Sequence, residues 1–453
     1  MSPTNIYHPD DFLLGLSSVR ERCFKVQEVA NRNQLNHFDV DRSKLDDMVH
    51  LVISLIKRDY DNPSNIPPFG RWRHFDSGGR PRIQGLLNTW SSLGQDSLEQ
   101  TRKVIDLFVV ACLLDIDPYQ SWSYVEPVTG RTYKWKDGVA VAILDMFSNG
   151  VFSSDPAHPY RVDSEGLLNL SPDALFSGLQ ITQKNSFTGL EERLDVLTHL
   201  GTVLRDRTDF FGNGVQRPGN LVDYLLDHPS TIKTRKGPLI SIEAIWPVVQ
   251  EMGELWAAES EKGGTFGLGD VWSCKALLSN TGSFSSTEHL VPFHKSSQWL
   301  VYSIIEPMEK LLGATIEGSD LLTALPDCWN DIKFKGGLLM DTGFLTLKPK
   351  EYERGIQNYH NNSMLPSQPK IEIVPMFELS DPVVIEWRAL TVAYLDLITE
   401  RVRHTLKLSR KALSLSQLIQ GGTTSAGREL AEISRPNTHE PPIVIKAEKK
   451  VIF

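Results

Sequence analysis

Residues 103–114 read KVIDLFVVACLL, and on a helical wheel their apolar side chains point in nearly every direction. A helix that is hydrophobic all round has no face suited to water, so it is typical of the centre of a core. The run is shorter than the ~18–20 apolar residues that a membrane span requires. The stretch therefore predicts a central buried helix.

Other parts of the chain repeat apolar residues at the three- and four-residue spacing of an amphipathic helix. They are residues 39–60, residues 190–204, and residues 383–418, which could hold one long helix or two consecutive ones. Alternating strand patterns are scarce, and the best are residues 130–135, 337–341 and 371–374. These patterns predict a mainly α fold with a few short strands.

The length of 453 residues suits one large helical domain, which we place at residues 1–420, or two lobes with a cleft between them. Residues 421–453, which begin with two glycines, are expected to form a C-terminal segment and tail that pack on this domain. The sequence leaves the oligomeric state open.

The charge balance excludes some classes of function. The net charge of −9 and the pI near 5.8 argue against a protein that covers nucleic-acid phosphates, since such binding needs a basic face. The first residues, MSPTNIYHPDDF, lack a charged segment followed by an apolar one, and no apolar run reaches membrane-span length. We expect no membrane partner and a reduced, cytoplasmic location, with the nucleus also open.

The cysteines and the short motifs give no sign of a metal or cofactor. Cys23, Cys112, Cys274 and Cys328 lie far apart, without a Cys-x-x-Cys pair or a nearby histidine at zinc spacing. The chain also lacks the P-loop, H-E-x-x-H, G-x-S-x-G and dinucleotide-binding patterns. We therefore expect neither a metal nor a cofactor.

Residues 290–306, LVPFHKSSQWLVYSIIE, predict a helix with an unusual polar face. The residues on that face recur at steps of three or four, and they are Lys295, Gln298, Trp299, Tyr302 and Glu306. A ligand pocket can use aromatic walls with a few fixed polar groups. A half-exposed helix with an aromatic core edge explains the same pattern.

A basic segment, Arg71-Trp72-Arg73-His74-Phe75, lies just before two glycines. Guanidinium groups bind phosphate with two parallel hydrogen bonds, and neighbouring backbone donors can complete the site. The alternative is a solvated basic turn anchored by its tryptophan.

Three carboxylates are candidates for chemistry. Residues 263–272 resemble a glycine-hinged loop that presents Asp270 and Trp272. Asp341 ends the apolar run GGLLMD, where burial would shift its pKa, although a capping or turn aspartate fits equally well. Glu386 and Arg388 lie two residues apart, so on a helix they do not face each other.

Seven segments, taken in order, resemble the landmarks of the uracil catabolism protein 4 family and span nearly the whole chain. They are RERC at 20–23, HF at 37–38, RWRHF at 71–75, VPFHKSSQWL at 291–300, GGLLMD at 336–341, EWRALT at 386–391 and GGT at 421–423 continuing to Arg428. The resemblance implies a role in the ring-opening route of uracil breakdown, in which uracil is first converted to its ribonucleotide.

A looser set of segments is similar to the queuosine-salvage nucleotide hydrolases, helical proteins with a DNA-glycosylase-like architecture. The segments are GRTY at 130–133, EERLDVL at 191–197, Gly269-Asp270, Phe293 and EWR at 386–388. This resemblance implies cleavage of an N-glycosidic bond. The chain has His294 and Lys295 where that family's aspartate is expected, so the catalytic carboxylate does not transfer directly.

Ring opening of a uridine nucleotide would leave urea on C1 of a ribose, and its release requires hydrolysis of a C–N bond through an oxocarbenium-like centre. The candidate catalytic groups are the carboxylates of Asp341, Asp270 and Glu386, in that order, with His294 as the acid. The candidate substrate-binding residues are Arg71, Arg73, His74, Trp272, Lys295, Gln298, Trp299, Tyr302, Glu306 and Arg388.

We expect the 290–306 helix, the 71–75 segment and Asp341 to converge on one pocket for a small ribosylated substrate. Two other classes of function fit the same residues. One is a different hydrolase or lyase acting on the C–N bonds of an opened pyrimidine. The other is a non-catalytic partner that binds or channels for another enzyme of the pathway.

Overall fold

The computed structural model describes residues 9–114, 122–257, 269–281, 287–324, 332–361 and 372–446. Most of these residues are helical, and the strands are short. The prediction of a mainly α chain is therefore confirmed. The described residues form two compact units, the first within residues 1–68, 260–295 and 320–448, and the second within residues 69–259 and 296–319.

The helices of the described residues are numbered in chain order. They are α1 Pro9–Leu14, α2 Leu16–Asn31, α3 Leu45–Asp59, α4 Trp72–Phe75, α5 Arg82–Ser92, α6 Ser97–Leu113, α7 Trp135–Ser148, α8 Ser164–Leu168, α9 Pro172–Gly178, α10 Leu190–Asp206, α11 Thr208–Phe211, α12 Leu221–Asp227, α13 Ile242–Ala257, α14 Lys275–Thr281, α15 Lys295–Leu312, α16 Ile332–Asp341, α17 Pro349–His360, α18 Pro382–Leu406, α19 Leu415–Leu418 and α20 Thr424–Ser434.

The strands form small separate sheets. They are β1 Phe38–Val40, β2 Ser123–Val125, β3 Thr132–Lys134, β4 Ile232–Thr234, β5 Gly237–Ser241, β6 Val271–Ser273, β7 Leu290–Pro292, β8 Thr315–Glu317, β9 Leu345–Leu347, β10 Met376–Phe377 and β11 Val444–Ile445. The antiparallel pairs are β1 with β9, β2 with β3, β4 with β5 and β6 with β7, and the parallel pairs are β5 with β8 and β10 with β11.

The first unit is built around α18. Asp381 caps this helix by accepting a hydrogen bond from the Val383 N–H, and a proline occupies its first position, where no backbone donor is required. The helix is buried over most of its length and packs against α2, α3 and α16. It ends where Lys407 adopts a left-handed conformation, so residues 383–418 contain two separate helices, α18 and α19.

The second unit is built around α6, which contains the KVIDLFVVACLL stretch. Asp96 caps the helix through the Glu99 N–H, and nearly every residue from Gln100 to Leu113 is buried. The helix packs against α7, α10 and α12. The prediction of a central buried helix is confirmed for this unit.

The predicted helix over residues 290–306 is wrong for its first five residues. Residues 290–292 form β7, which pairs with β6, and His294 has a left-handed backbone with φ of 45°. A helix cannot pass through a left-handed residue, so α15 begins at Lys295. Similarly, residues 39–44 hold the end of β1 and a short 3₁₀ turn, and α3 begins only at Leu45.

Two of the three predicted strands are also wrong. Residues 337–341 lie in α16, because a short apolar run has the same pattern in a strand and in a buried helix. Residues 372–374 are not in a strand, and residue 371 lies outside the described residues. The third prediction is confirmed, since residues 132–134 form β3.

Gly336 allows α16 to lie unusually close to α18. A Cβ atom at this position would lie 2.6 Å from Cε2 of Trp387, and the Trp387 indole donates a hydrogen bond of 3.3 Å to the Gly336 carbonyl. The ring of Trp387 is completely buried, so other side chains surround it and resist its displacement. The close packing of these two helices therefore depends on glycine.

We predict that Gly336→Ala lowers the free energy of unfolding by about 1–3 kcal/mol, the usual cost of overfilling a packed core. Chemical denaturation of the full chain measures this change. Gly85→Ala is the matched control, because Gly85 lies on an exposed face of α5, where an added methyl group would meet nothing within 4 Å. The control should gain up to about 1 kcal/mol from improved helix propensity. Equal stability of the Gly336→Ala variant and the wild type would contradict the packing argument.

Candidate functional site

In the first unit, a buried ion pair joins α18 to the residue that precedes β6. Arg388 is completely buried and holds both carboxylate oxygens of Asp270, with Nη1–Oδ1 and Nη2–Oδ2 distances of 2.9 and 2.8 Å. The guanidinium carbon also lies 4.0 Å from the centre of the Phe293 ring. This geometry combines a two-point ion pair with a cation–π contact.

Two further donors bind the Asp270 carboxylate. The Trp272 indole N–H donates to Oδ1 over 2.6 Å, and the Lys295 backbone N–H donates to Oδ2 over 3.2 Å. Burial alone would raise the pKa of Asp270, but the charge of Arg388 and these hydrogen bonds outweigh it and lower the pKa below its ordinary value. Asp270 is therefore a carboxylate held in its ionised form.

The β6–β7 pair explains how these residues meet. Asp270 directly precedes β6, and Phe293 and His294 directly follow its antiparallel partner β7. The start of β6 therefore lies next to the end of β7. One more backbone hydrogen bond joins the two strands at this end, from the Phe293 N–H to the Asp270 carbonyl over 2.9 Å. Because β7 ends here, the first residue of α15, Lys295, places its backbone N–H beside the carboxylate.

His294 is strained and neutral. Its Nε2–H donates to the Leu13 carbonyl over 2.7 Å, and burial lowers the pKa of the imidazole. Its left-handed backbone costs roughly 1–2 kcal/mol for a residue with a Cβ. Strain of this kind is concentrated at functional sites, where it fixes the direction of neighbouring groups.

The other two candidate carboxylates have structural partners. Glu386 accepts hydrogen bonds from three consecutive backbone N–H groups, those of residues 36, 37 and 38, over 2.9–3.2 Å. Burial raises its pKa, and these donors and the nearby His37 offset the rise only in part. Asp341 is held at both oxygens by Arg435, over 2.8 and 2.6 Å, which connects α16 to the end of α20.

In the second unit, α4 and α7 bring a histidine and a carboxylate together. His74 Nδ1 lies 2.8 Å from Asp137 Oδ1, and the Ser77 hydroxyl donates to Oδ2 over 2.7 Å. Burial lowers the pKa of His74 despite the raising effect of the carboxylate, and the hydrogen bonds and nearby charges lower the pKa of Asp137 although burial opposes them. The pair therefore holds an ionised carboxylate and a neutral imidazole with its Nδ1–H fixed.

The polar face of α15 is buried beside this pair. Gln298, Trp299, Tyr302 and Glu306 are all less than one-tenth exposed. The Trp299 ring packs edge-on against Phe69 and His74, with centroid distances of 4.9 and 6.0 Å. The Lys136 ammonium lies 5.1 Å from the Trp299 ring centre. This face is therefore part of the core of the second unit and borders the histidine.

The charged residues of the 71–75 segment also have partners. Arg73 forms an ion pair with Glu306, which Lys310 also contacts over 2.7 Å. Arg71 is completely buried, and its backbone N–H donates to the Ser303 hydroxyl over 3.1 Å. The segment is a one-turn helix, α4, in place of the predicted turn.

The structure thus places the sequence-derived candidates in two groups. The first unit brings together Asp270, Trp272, His294, Lys295 and Arg388, and the second unit brings together Arg71, Arg73, His74, Gln298, Trp299, Tyr302 and Glu306. Glu386 and Asp341 bond to other residues of the first unit. Convergence of the candidates on one pocket stays a prediction.

Sequence reasoning missed Ser77, Lys136 and Asp137. The segment YKWKDG at 133–138 does place charged residues at the junction of β3 and α7, which is a weak sign of a site. However, nothing in the local pattern indicates that Asp137 meets a histidine 63 residues away.

Metal-binding clusters and membrane-spanning helices are both missing from the described residues. Within them, no group of three or more His, Cys, Asp or Glu side chains is arranged to hold a metal ion. Among the same residues, no helix combines the length and the apolar character needed to cross a membrane. Three described cysteines, Cys23, Cys112 and Cys274, are buried and form no disulfide, and burial raises the pKa of Cys274 to about 12. Cys328 lies outside the described residues.

Comparison with known proteins agrees with the sequence landmarks. A family model described as "Protein of unknown function (DUF1688)" matches residues 12–452. The chain is 34% identical to "Uracil catabolism protein 4" of Lachancea kluyveri, over 98% of this chain and 99% of that protein. It is 33% identical to "Protein urg3" of Schizosaccharomyces pombe, over 96% of this chain and 97% of that protein. The chain therefore belongs to the DUF1688 family and, within it, to the uracil catabolism protein 4 family.

We predict that Asp137→Asn lowers the pKa of His74 further, because the Asp137 carboxylate, first through its hydrogen bond and then through its charge, is the main group that favours the protonated ring. A pH titration of the imidazole resonances by NMR measures the change. Asp173→Asn on α9 is a control, since this exposed carboxylate belongs to the same unit and should leave His74 unaltered. A His74 pKa that rises, or stays constant, in the Asp137 variant would contradict the proposed pairing.

Proposed function

We propose that this protein acts in uracil catabolism as an N-glycosidase-type hydrolase that releases urea from ribosylurea or its 5-phosphate. The pathway is supported by the near full-length similarity to a relative named "Uracil catabolism protein 4". The reaction type is supported by the sequence similarity to the queuosine-salvage hydrolases and by the Asp270 cluster of the first unit. The single structural observation that carries the proposal is an ionised carboxylate held beside an aromatic ring.

The proposed reaction is a simple hydrolysis. The C1–N bond of the sugar breaks, its electron pair leaves with the urea nitrogen, and the oxygen of water bonds to C1. One proton of the water ends on the departing nitrogen, so the products are urea and a ribose with a free C1 hydroxyl. Positive charge develops at C1 and the ring oxygen in the transition state, where a carboxylate can stabilise it or take the proton of the attacking water.

Solvent access favours Asp270 among the three candidate carboxylates. A catalytic carboxylate has to touch the substrate, and the side chain of Asp270 is 18% exposed, compared with 6% for Asp341. Glu386 is 1% exposed and serves three backbone donors. We therefore propose Asp270 as the catalytic group, Asp341 as a tie between α16 and α20, and Glu386 as an anchor for residues 36–38.

The neighbours of Asp270 have distinct roles in this proposal. Arg388 keeps the carboxylate ionised and fixes its plane, and the Trp272 ring forms a wall for the substrate. His294 is neutral, and its Nε2–H already donates to the Leu13 carbonyl. It therefore holds the connection between β7 and α15 and does not donate a proton to the leaving group. Because Arg388 already binds a carboxylate at two points, we do not assign it to a phosphate.

Mass spectrometry of the purified full chain incubated with ribosylurea, and separately with its 5-phosphate, tests the function. The proposal requires urea and the matching ribose product in equal amounts. A different C–N hydrolase or lyase would release other products from an opened pyrimidine. Tight binding without any turnover would instead identify a non-catalytic partner and refute the proposed hydrolysis.

We predict that Asp270→Asn lowers kcat by about 10²-fold or more while substrate affinity changes little, because the charge acts mainly in the transition state. Asp341→Asn is a closely matched control, since Asp341 also binds one arginine at two points in the same unit. Both variants should lose stability, by up to about 3–5 kcal/mol. Steady-state kinetics and thermal unfolding measure the two effects separately.

The two variants also rank the carboxylates. Loss of turnover in Asp341→Asn, with wild-type rates in Asp270→Asn, would transfer the catalytic role to Asp341. Wild-type rates in both folded variants would remove the basis for the glycosidase mechanism.

We predict that turnover survives exhaustive treatment with a chelator, since hydrolysis by a carboxylate at an oxocarbenium-like centre does not require a metal. Activity before and after chelation, with the metal content measured by mass spectrometry, provides the test. Restoration of lost activity by one specific divalent ion would overturn this prediction.

A further inference from the structure

The Trp299 indole N–H has no hydrogen-bond partner among the described residues, although the side chain is only 5% exposed. A buried donor without a partner costs about 1–3 kcal/mol, and a buried tryptophan usually finds one. Trp72 and Trp122 of the same unit donate to Asp76 and to the Leu179 carbonyl. The N–H of the completely buried Trp90, like that of Trp299, has no hydrogen-bond partner among the described residues. The Trp299 N–H is therefore a donor that a ligand could satisfy.

The ring of His74, which packs against the Trp299 ring, carries a hydrogen-bond acceptor. His74 donates its Nδ1–H to Asp137, so the lone pair of the neutral ring is on Nε2, which has no partner among the described residues. The ring is partly exposed, with the His74 and Trp299 ring centres 6.0 Å apart. One donor and one acceptor of fixed identity are thus held side by side.

Backbone strain at the start of α7 is a third observation. Trp135 has a left-handed backbone, with φ of 53°, and its large ring is 53% exposed. This conformation costs roughly 1–2 kcal/mol and persists where the surrounding structure requires it. The strained residue directly precedes Lys136 and Asp137, so it sets the turn from which both side chains reach the His74 and Trp299 rings.

We propose that His74 and Trp299 form a binding site for a ureido group, with the His74 Nε2 atom accepting a ureido N–H and the Trp299 N–H donating to the ureido oxygen. A ureido group is planar and uncharged, and it carries adjacent donors and an acceptor. The choice of this group over another planar amide rests on the proposed function. The site itself is defined within the second unit alone.

Charge argues against a phosphate at this position. Arg73 and Lys310 both contact Glu306, so two of the nearby cations already have a carboxylate partner. Arg71 and Lys136 are also close enough for their charges to lower the pKa of His74, and both have other interactions within the protein. The ionised Asp137 lies next to the His74 ring and would repel a second anion. A neutral group that exchanges hydrogen bonds with His74 and Trp299 avoids both problems.

The test uses (2-hydroxyethyl)urea, a ureido probe without a glycosidic bond, so its binding is independent of any hydrolysis. NMR titration of the full-length wild type should give saturable shifts of the His74 and Trp299 side-chain signals. Trp299→Phe, which keeps an aromatic ring but removes the N–H, and His74→Ala should each weaken binding by about tenfold, the value of one or two net hydrogen bonds.

His158→Ala is the matched control, because His158 also pairs with an aspartate, Asp155, but on an exposed surface of the same unit. It should bind the probe like the wild type. Equal affinity in all four folded proteins, or an equal loss in the control, would overturn the proposal. Saturable binding of inorganic phosphate that depends on His74, without binding of the ureido probe, would show an anion site instead and would also overturn it.

The result stays separate from the proposed hydrolysis. Probe binding without turnover of ribosylurea would support the site and refute the enzyme activity. Turnover of ribosylurea with no probe binding at His74 and Trp299 would support the enzyme activity and refute the ureido site.

Discussion

The first unit depends on the need to neutralise Arg388. A guanidinium cannot lose its proton at any ordinary pH, and this one is completely buried in the middle of α18. The Asp270 carboxylate supplies the opposite charge at two points, and the Phe293 ring lies against the cation. Because a buried charge without a partner is so costly, this pair fixes where β6 and β7 end and where α15 begins. The same pair keeps Asp270 ionised and holds both of its carboxylate oxygens.

The second unit also has a buried charge that needs a partner, the carboxylate of Glu306. Glu306 is buried on α15, and Arg73 and Lys310 supply its counter-charge, so this part of the polar face is satisfied within the protein. Trp299, two turns earlier on the same helix, is not satisfied in this way by the described residues. The polar face of α15 therefore divides into two parts. The part around Glu306 is structural, and the part around Trp299 has an indole N–H that no described residue accepts.

The sequence predicted the helical class, the buried α6 and the family, because these depend on composition, on helical periodicity and on ordered landmarks. It also singled out several residues that lie in the two clusters. It failed where long-range pairing decides the structure. Pairing with β6 makes residues 290–292 a strand, and α16, which contains residues 337–341, packs closely on α18 where Gly336 meets Trp387. The partners of Asp341 and His74 lie 94 and 63 residues away, so no local pattern could reveal that Arg435 holds Asp341 or that Asp137 meets His74.

The division of the first unit among three stretches of chain has a consequence for synthesis on the ribosome. Its first strand, β1, pairs with β9, and its central helix α18 packs on α2, although several hundred residues separate these partners in sequence. The segment that holds α2 and β1 therefore keeps its apolar side chains exposed until almost the entire polypeptide has been synthesised. Such a delay favours capture by chaperones and misassembly of incomplete chains. A truncated gene product would lack the elements that cover α2 and β1 and would be expected to aggregate rather than accumulate as a partial domain.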